Sequence, residues 1–187
     1  AARDGELKEY GVKAELLGGR VSVTAAWFEM KRVNQRINIS RVDTDGSSYN
    51  EFIFTAGEEV KGFEGQVFGR LLDRLDLIAS YARSKTSNEV QGGIFRIPSV
   101  PAYEVSAFLN YSFHDAGKDG FSLRGGYVKI GEMWGSPDNI MHFDPQDRVD
   151  AGLSYVHGRY KFDLQVNNVF DDRFITAAPV TVVLSES

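Results

Sequence analysis

An antiparallel, all-β transmembrane barrel segment is the architecture that the pattern of these 187 residues specifies. Three features carry that reading. Apolar and polar residues alternate with period two through most of the chain. The connections between alternating runs are short and long in strict turn. Aromatic residues gather at both ends of the runs, on the apolar parity.

Taken in chain order, each run splits cleanly by parity. Val12, Ala14 and Leu16 oppose Lys13 and Glu15; Val21, Val23, Ala25 and Trp27 oppose Ser22, Thr24 and Ala26. Phe63, Gly65, Val67, Gly69 and Leu71 oppose Glu64, Gln66, Phe68 and Arg70. Leu77, Ala79 and Tyr81 oppose Asp76, Ile78 and Ser80. Tyr103, Val105, Ala107, Leu109, Tyr111 and Phe113 oppose Glu104, Ser106, Phe108, Asn110 and Ser112. Phe121, Leu123, Gly125 and Tyr127 oppose Ser122, Arg124 and Gly126. Val149, Ala151, Leu153 and Tyr155 oppose Asp150, Gly152 and Ser154. Tyr160, Phe162, Leu164 and Val166 oppose Lys161, Asp163, Gln165 and Asn167, and a ninth, shorter run is Val180–Leu184. No charge falls on the apolar parity of the eight long runs. A charge facing lipid at the bilayer midplane costs roughly 2–4 kcal/mol, whereas an interior face is free to be polar.

A soluble sandwich alternates too, its apolar parity filling a core, so connections and aromatics decide. Short links lie at Gly18-Gly19, Leu72-Asp73-Arg74, His114–Asp119 and His157-Gly158-Arg159. Long ones intervene at Val33–Glu58, Ser84–Pro101, Gly131–Asp147 and Asp171–Pro179, as tight turns on one side of a membrane and long loops on the other require. Phe113, Phe121, Tyr155 and Tyr160 sit at the short-turn ends, while Trp27, Tyr81, Tyr103 and Tyr127 sit toward the long loops. Two belts at two interfaces result.

Composition narrows the alternatives. The net charge of −5 argues against nucleic acid. The chain has no cysteine, so no disulfide framework supports it. No apolar run approaches the roughly 18–20 residues of a spanning helix, which excludes a helical membrane protein. Ala1–Glu6 has no apolar leader, and the expectation is a chain that begins in mid-protein. Nine strands also place the first and last in parallel, against the all-antiparallel habit of bacterial barrels, so further strands are expected before residue 1.

Specific stretches go further than periodicity. Asn167-Asn168-Val169-Phe170-Asp171-Asp172-Arg173-Phe174 resembles the Asn-Leu-Phe-Asp-Lys-Arg-Tyr signature near the end of TonB-dependent siderophore receptors. Arg96-Ile97-Pro98-Ser99-Val100-Pro101 resembles their Arg-Leu-Pro-Asn-Val-Pro segment. Residues 9–16 with 20–28 are similar to an upstream hairpin of the family, and Val60-Lys61-Gly62-Phe63-Glu64 to its Arg-Gly-Val-Glu segment. The resemblance implies a 22-stranded barrel filled by a plug, of which residues 1–187 supply roughly the last nine strands. It implies import of a ferric siderophore through the Gram-negative outer membrane, with outer-membrane lipid, the chelate and the TonB complex as partners. The plug and the TonB-contacting region lie outside these residues. The only iron implied is that of the bound chelate, with no resident cofactor and no enzymatic activity. One departure stands out: the family ends its last strand in an aromatic residue, whereas this chain ends Leu184-Ser185-Glu186-Ser187.

Catalysis finds no support in the spacing. Asp150, Ser154 and His157 share a run, but His157 has the opposite parity and falls in a turn, whereas a triad must converge. His114 and His142 have no partner at metal-ligand spacing. Asp43-Thr44-Asp45-Gly46 lacks the acids of a calcium loop and reads as a turn. Ferric chelates offer charged and flat faces, so basic and aromatic loop residues are the contact candidates: Tyr49, Arg96, Trp134 and Phe143. Their competing role is packing within their own loops. Pro98 and Pro101 read as strand-entry punctuation, and Asn168, Phe170 and Asp171 as a structural exit from the last long strand. The alternative architecture is a self-contained eight-stranded barrel with an adhesive or structural role.

Overall fold

The computed structural model describes residues 4–33, 36–43, 45–54, 57–90, 93–175 and 183–185. Its strands are β1 (Asp4–Leu16), β2 (Val21–Val33), β3 (Arg36–Val42), β4 (Ser48–Phe54), β5 (Gly57–Leu72), β6 (Leu75–Val90) and β7 (Gly93–Phe95). They continue as β8 (Tyr103–Ser112), β9 (Gly120–Ile130), β10 (Met133–Trp134), β11 (His142–Phe143), β12 (Gln146–His157), β13 (Tyr160–Val166) and β14 (Val183–Ser185). The wall is one antiparallel sheet in the order β1-β2-β5-β6-β8-β9-β12-β13, with β7 paired to the end of β6. The sheet is open: β1 and β13 do not pair with each other.

Direct cross-strand partners share a face, so register traces each parity across the whole wall. One row of partners runs Tyr10, Trp27, Phe63, Arg83 and Tyr103. Another runs Ala14, Val23, Val67, Ala79, Ala107, Tyr127 and Val149. The apolar parity of every run therefore lies on one face. That face is bare in the structure, with Val12 73 %, Phe162 63 % and Leu164 63 % exposed. Apolar area of that kind is stabilised only by a non-aqueous medium.

The apolar band has a sharp upper edge. On β1, β2, β5, β6 and β9 its last residue is aromatic (Tyr10, Trp27, Phe63, Tyr81, Tyr127), and the next of the same parity is charged (Lys8, Glu29, Lys61, Arg83, Lys129). Tyr10 and Trp27 stack across the strand pair with centroids 6.0 Å apart. The lower edge carries Phe121 stacked on Tyr155 at 4.4 Å and Tyr111 edge-on to Phe113 at 4.9 Å.

The short turns are clasped to one another by polar side-chain contacts. Arg20 reaches Asp73 of the next turn at 3.1 Å, and Arg74 reaches Asp115 at 2.7 Å. Asp119 then holds His157 at 2.7 Å and accepts from the Gly158 amide at 2.9 Å. The β5–β6 turn follows a bulge between Arg70 and Leu72. Gly69 makes it possible, with φ +141° and a Cβ position already filled by the backbone at Arg20 and Val21.

Several elements differ from the sequence expectation. β1, β2, β5 and β6 continue past the apolar band, where the outward parity itself becomes charged and the apolar–polar alternation ends. The long connection Val33–Glu58 is itself a β-hairpin, β3 paired with β4. Its turn is the Asp-Gly turn expected there: the Gly46 amide donates to Asp43 O at 2.9 Å and the Ser47 amide to the Asp45 carboxylate at 2.8 Å. Of the ninth run only Val183 and Leu184 lie within the described residues, in β14. That strand pairs in parallel with Ser40–Val42 of β3 and does not extend the wall.

Candidate functional site

At the long-connection end the opposite, polar face is covered by a compact unit built from residues 93–102 and 131–145. Thr86 fixes its position. It has the same parity on β6 as Asp76, Ser80 and Ser84, so its side chain belongs to the polar face, and its hydroxyl accepts from the Ile97 amide at 3.0 Å. The Arg96 guanidinium also donates to Thr86 O at 3.4 Å. Residues 95–97 thus fold back across the polar face instead of rising away from the wall.

Long-range backbone bonds weld the two segments. The Ser99 amide donates to Trp134 O at 2.7 Å, Ala102 to Glu132 O at 2.9 Å, and Gly131 to Tyr103 O at 2.8 Å. Asn139 acts as a two-sided clamp: its side-chain oxygen accepts from the Arg96 amide, while its Nδ2 donates to Arg96 O at 3.0 Å. β10 and β11 pair Met133 with Phe143 and Trp134 with His142. Beneath them Met133 is 2 % exposed, with Ile130, Thr86, Asn88 and Ser136 also buried. Asn139 and Ser99 take left-handed φ of 56° and 59° in the two connecting turns. Asp138 caps the Ile140 amide, and its hydrogen bonds from Ser136 and Ile140 hold its carboxyl below the ordinary carboxylate value.

Three of the four residues expected to contact ligand come together here. Arg96, Trp134 and Phe143 all belong to this unit, Arg96 exposed and the two rings half-buried. Trp134 stands edge-on to His142 at 4.8 Å, and the imidazole lies between Glu132 (3.6 Å) and Asp144 (3.7 Å). Tyr49 is elsewhere: it is half-exposed on β4, opposite Arg41, in a sheet separate from the wall. Pro98 and Pro101 bracket the Ser99 turn and deliver the chain into β8.

Asn168, Phe170 and Asp171 lie where the chain leaves β13. Asn168, at φ 54°, donates its amide to the Asp150 carboxylate at 2.8 Å. Its side chain bonds both the carbonyl and the amide of Asp172, and the Asp171 amide returns to Asn168 O at 3.0 Å. Asp150 also accepts from Arg148 at 3.1 Å, and that guanidinium lies over the Phe174 ring at 5.2 Å. Phe170 itself is exposed. Sequence reasoning missed Thr86, Glu132, Asn139 and the Arg148–Phe174 stack. Only the turn-forming run Ser136-Pro137-Asp138-Asn139 carried a local signal.

Comparison with known proteins agrees with this geometry. The family model described as TonB dependent receptor-like, beta-barrel matches residues 5–169. The metal-pseudopaline receptor CntO of Pseudomonas aeruginosa is 30 % identical over 179 residues, covering 91 % of this chain and 24 % of that protein. The ferrichrome outer membrane transporter/phage receptor of Escherichia coli is 26 % identical over 188 residues, covering 95 % and 24 %. Among solved structures, the siderophore receptor PiuA of Acinetobacter baumannii superposes with TM-score 0.73 at 21 % identity, covering 93 % of this chain and 25 % of that one. The ferripyoverdine receptor of P. aeruginosa, bound to ferripyoverdine, gives 0.69 at 21 %, covering 91 % and 24 %. The chain spans about a quarter of the length of these relatives. With its apolar face as a lipid-facing wall and its polar face as a barrel interior, the chain belongs to the TonB-dependent receptor β-barrel family.

Proposed function

We propose that the polypeptide containing this chain is a receptor of the Gram-negative outer membrane that captures a ferric siderophore at its outer mouth. Energy for passage inward would come from the TonB complex, through parts of the polypeptide outside these residues. Residues 1–187 form part of its barrel domain. Iron arrives only within the bound chelate, and the chain supplies no resident cofactor.

The observation that carries this reading is the welded unit over the interior face. It sets a guanidinium (Arg96) and two aromatic rings (Trp134, Phe143) on a framework of long-range backbone bonds at the mouth of the wall. A ferric chelate, often anionic and edged with flat rings or oxygen atoms, is recognised by charge-assisted hydrogen bonds and ring stacking. Tyr49, on the separate hairpin, is proposed as a ligand contact outside this unit. The receptors named above, for ferripyoverdine, ferrichrome and metal-pseudopaline, support the ligand class.

The test uses fluorescence. The chain has two tryptophans, Trp27 on the lipid-facing belt and Trp134 in the mouth unit. Titrating the whole receptor with a panel of ferric chelates should quench emission. Trp134→Phe should remove part of that quench, whereas Trp27→Phe should leave its ligand-dependent part intact. Arg96→Ala should weaken Kd about tenfold, the scale of one charge-assisted hydrogen bond. If Arg96→Ala leaves affinity unchanged and the two tryptophan variants behave alike, the mouth assignment is wrong.

A further inference from the structure

On the lipid-facing side, just above the aromatic edge of the band, β5 and β6 carry three cations: Lys61, Arg83 and Lys85. Lys61 and Lys85 are direct cross-strand partners, and Arg83 is opposite Phe63 on the same face. Like charges directly opposed across an antiparallel pair destabilise it. The adjacent strands handle the same level differently. Glu29 and Lys31 of β2 alternate with Glu59 and Lys61 of β5 in a closed lattice, with contacts of 2.9, 3.3, 3.4 and 3.1 Å. That lattice neutralises itself. Arg83 and Lys85 stand beside it with no ion pair among the described residues, leaving two uncompensated positive charges.

Their level is as informative as their charge. Tyr81, the last apolar-parity residue of β6, lies directly below Arg83, and Tyr103 of β8 is the cross-strand partner of Arg83. Below them Ala79, Leu77, Val105 and Leu109 continue the apolar surface. The patch lies on the outward face of the wall, directly above a continuous apolar surface. An amphiphile fits it, anionic at the level of Arg83 and Lys85 and apolar below. The guanidinium fork of Arg83 suits a phosphate group, and Lys85 adds a point charge two residues along the strand.

We propose that Arg83 and Lys85 hold the phosphate of a phosphorylated membrane lipid whose acyl chains lie along Ala79, Leu77, Val105 and Leu109. The test takes the whole receptor from native membranes in mild detergent and counts bound phosphorylated lipid by native mass spectrometry. Arg83→Gln/Lys85→Gln should weaken that binding about thirtyfold, the factor that two surface cations contribute at a lipid headgroup. The charge-conserving Arg83→Lys/Lys85→Arg should retain the lipid, which separates lost charge from lost fold. If the double glutamine variant fails to fold, Lys85→Gln alone should show a smaller loss. Equal lipid occupancy in wild type and glutamine variants would overturn the proposal. So would displacement of the lipid by millimolar inorganic phosphate alone, since that would mean the apolar surface contributes nothing.

Discussion

Single residues set the special backbone geometry of this wall. Gly69 is the least replaceable, because its φ of +141° and the backbone at Arg20 and Val21 leave no place for a side chain. Gly69→Ala should destabilise the folded barrel by about 2 kcal/mol or more, read from its urea midpoint in detergent. Asp150 is the second such point, since it receives the Asn168 amide and the Arg148 guanidinium. Asp150→Ala leaves both donors without that acceptor and should cost about 1–3 kcal/mol, with faster hydrogen exchange at Asn168. The Asn168–Asp171 exit takes left-handed backbone at both residues, which asparagine and aspartate tolerate as turn formers. Its anchor on Asp150, eighteen positions earlier, left no trace in local spacing. Asp138 supplies a pH dependence of known sign. Its folded carboxyl titrates below the unfolded value, so its contribution is complete above the unfolded pKa and is lost as pH falls through the folded one. Protection of the Ile140 amide should therefore hold at neutral pH and fall only below the ordinary carboxylate range. If that protection were unchanged between neutral pH and pH about 2, the cap would be doing nothing.

At the scale of elements, parity is the organising fact, and it can be tested on one strand. Ala79 of β6 faces lipid between Val67 and Ala107, while Ala82 faces the interior between Glu64 and Glu104. Ala79→Arg should cost about 2–4 kcal/mol in the folding free energy of the barrel, whereas Ala82→Arg, set between two carboxylates, should be tolerated. Comparable losses at both sites would mean the faces are misassigned. This parity is what made the eight wall strands legible from the residues alone. The upper parts of β1, β2, β5 and β6 were not legible, because above the lipid band the outward parity carries charge and apolar–polar alternation no longer separates the faces. The mouth unit was hidden for another reason. Arg96, Trp134 and Phe143 could be nominated by type and loop position. Their assembly depends on the Ser99–Trp134 and Arg96–Asn139 bonds, which join residues 35 to 43 positions apart.

As a whole, the wall is a curtain with two free edges. Among the described residues the outer ladder groups of β1 and β13 have no partner strand in the sheet, and a lipid environment does not tolerate unpaired backbone groups. Closing the eight wall strands on themselves would need a β1–β13 ladder, which the structure does not form. That favours a larger barrel over a small self-contained one, in keeping with relatives about four times as long. The proposed role makes this wall and its mouth unit part of a receptor that brings iron into the cell as a chelate. It is tested most directly by uptake. Cells lacking the gene, and the same cells complemented with wild type or with Arg96→Ala/Trp134→Ala, would be starved of iron and given radioactive iron in a panel of siderophores. At least one chelate should accumulate only with the wild-type gene, with the double variant strongly impaired at low chelate concentration. Equal accumulation of every chelate with and without the gene would contradict it.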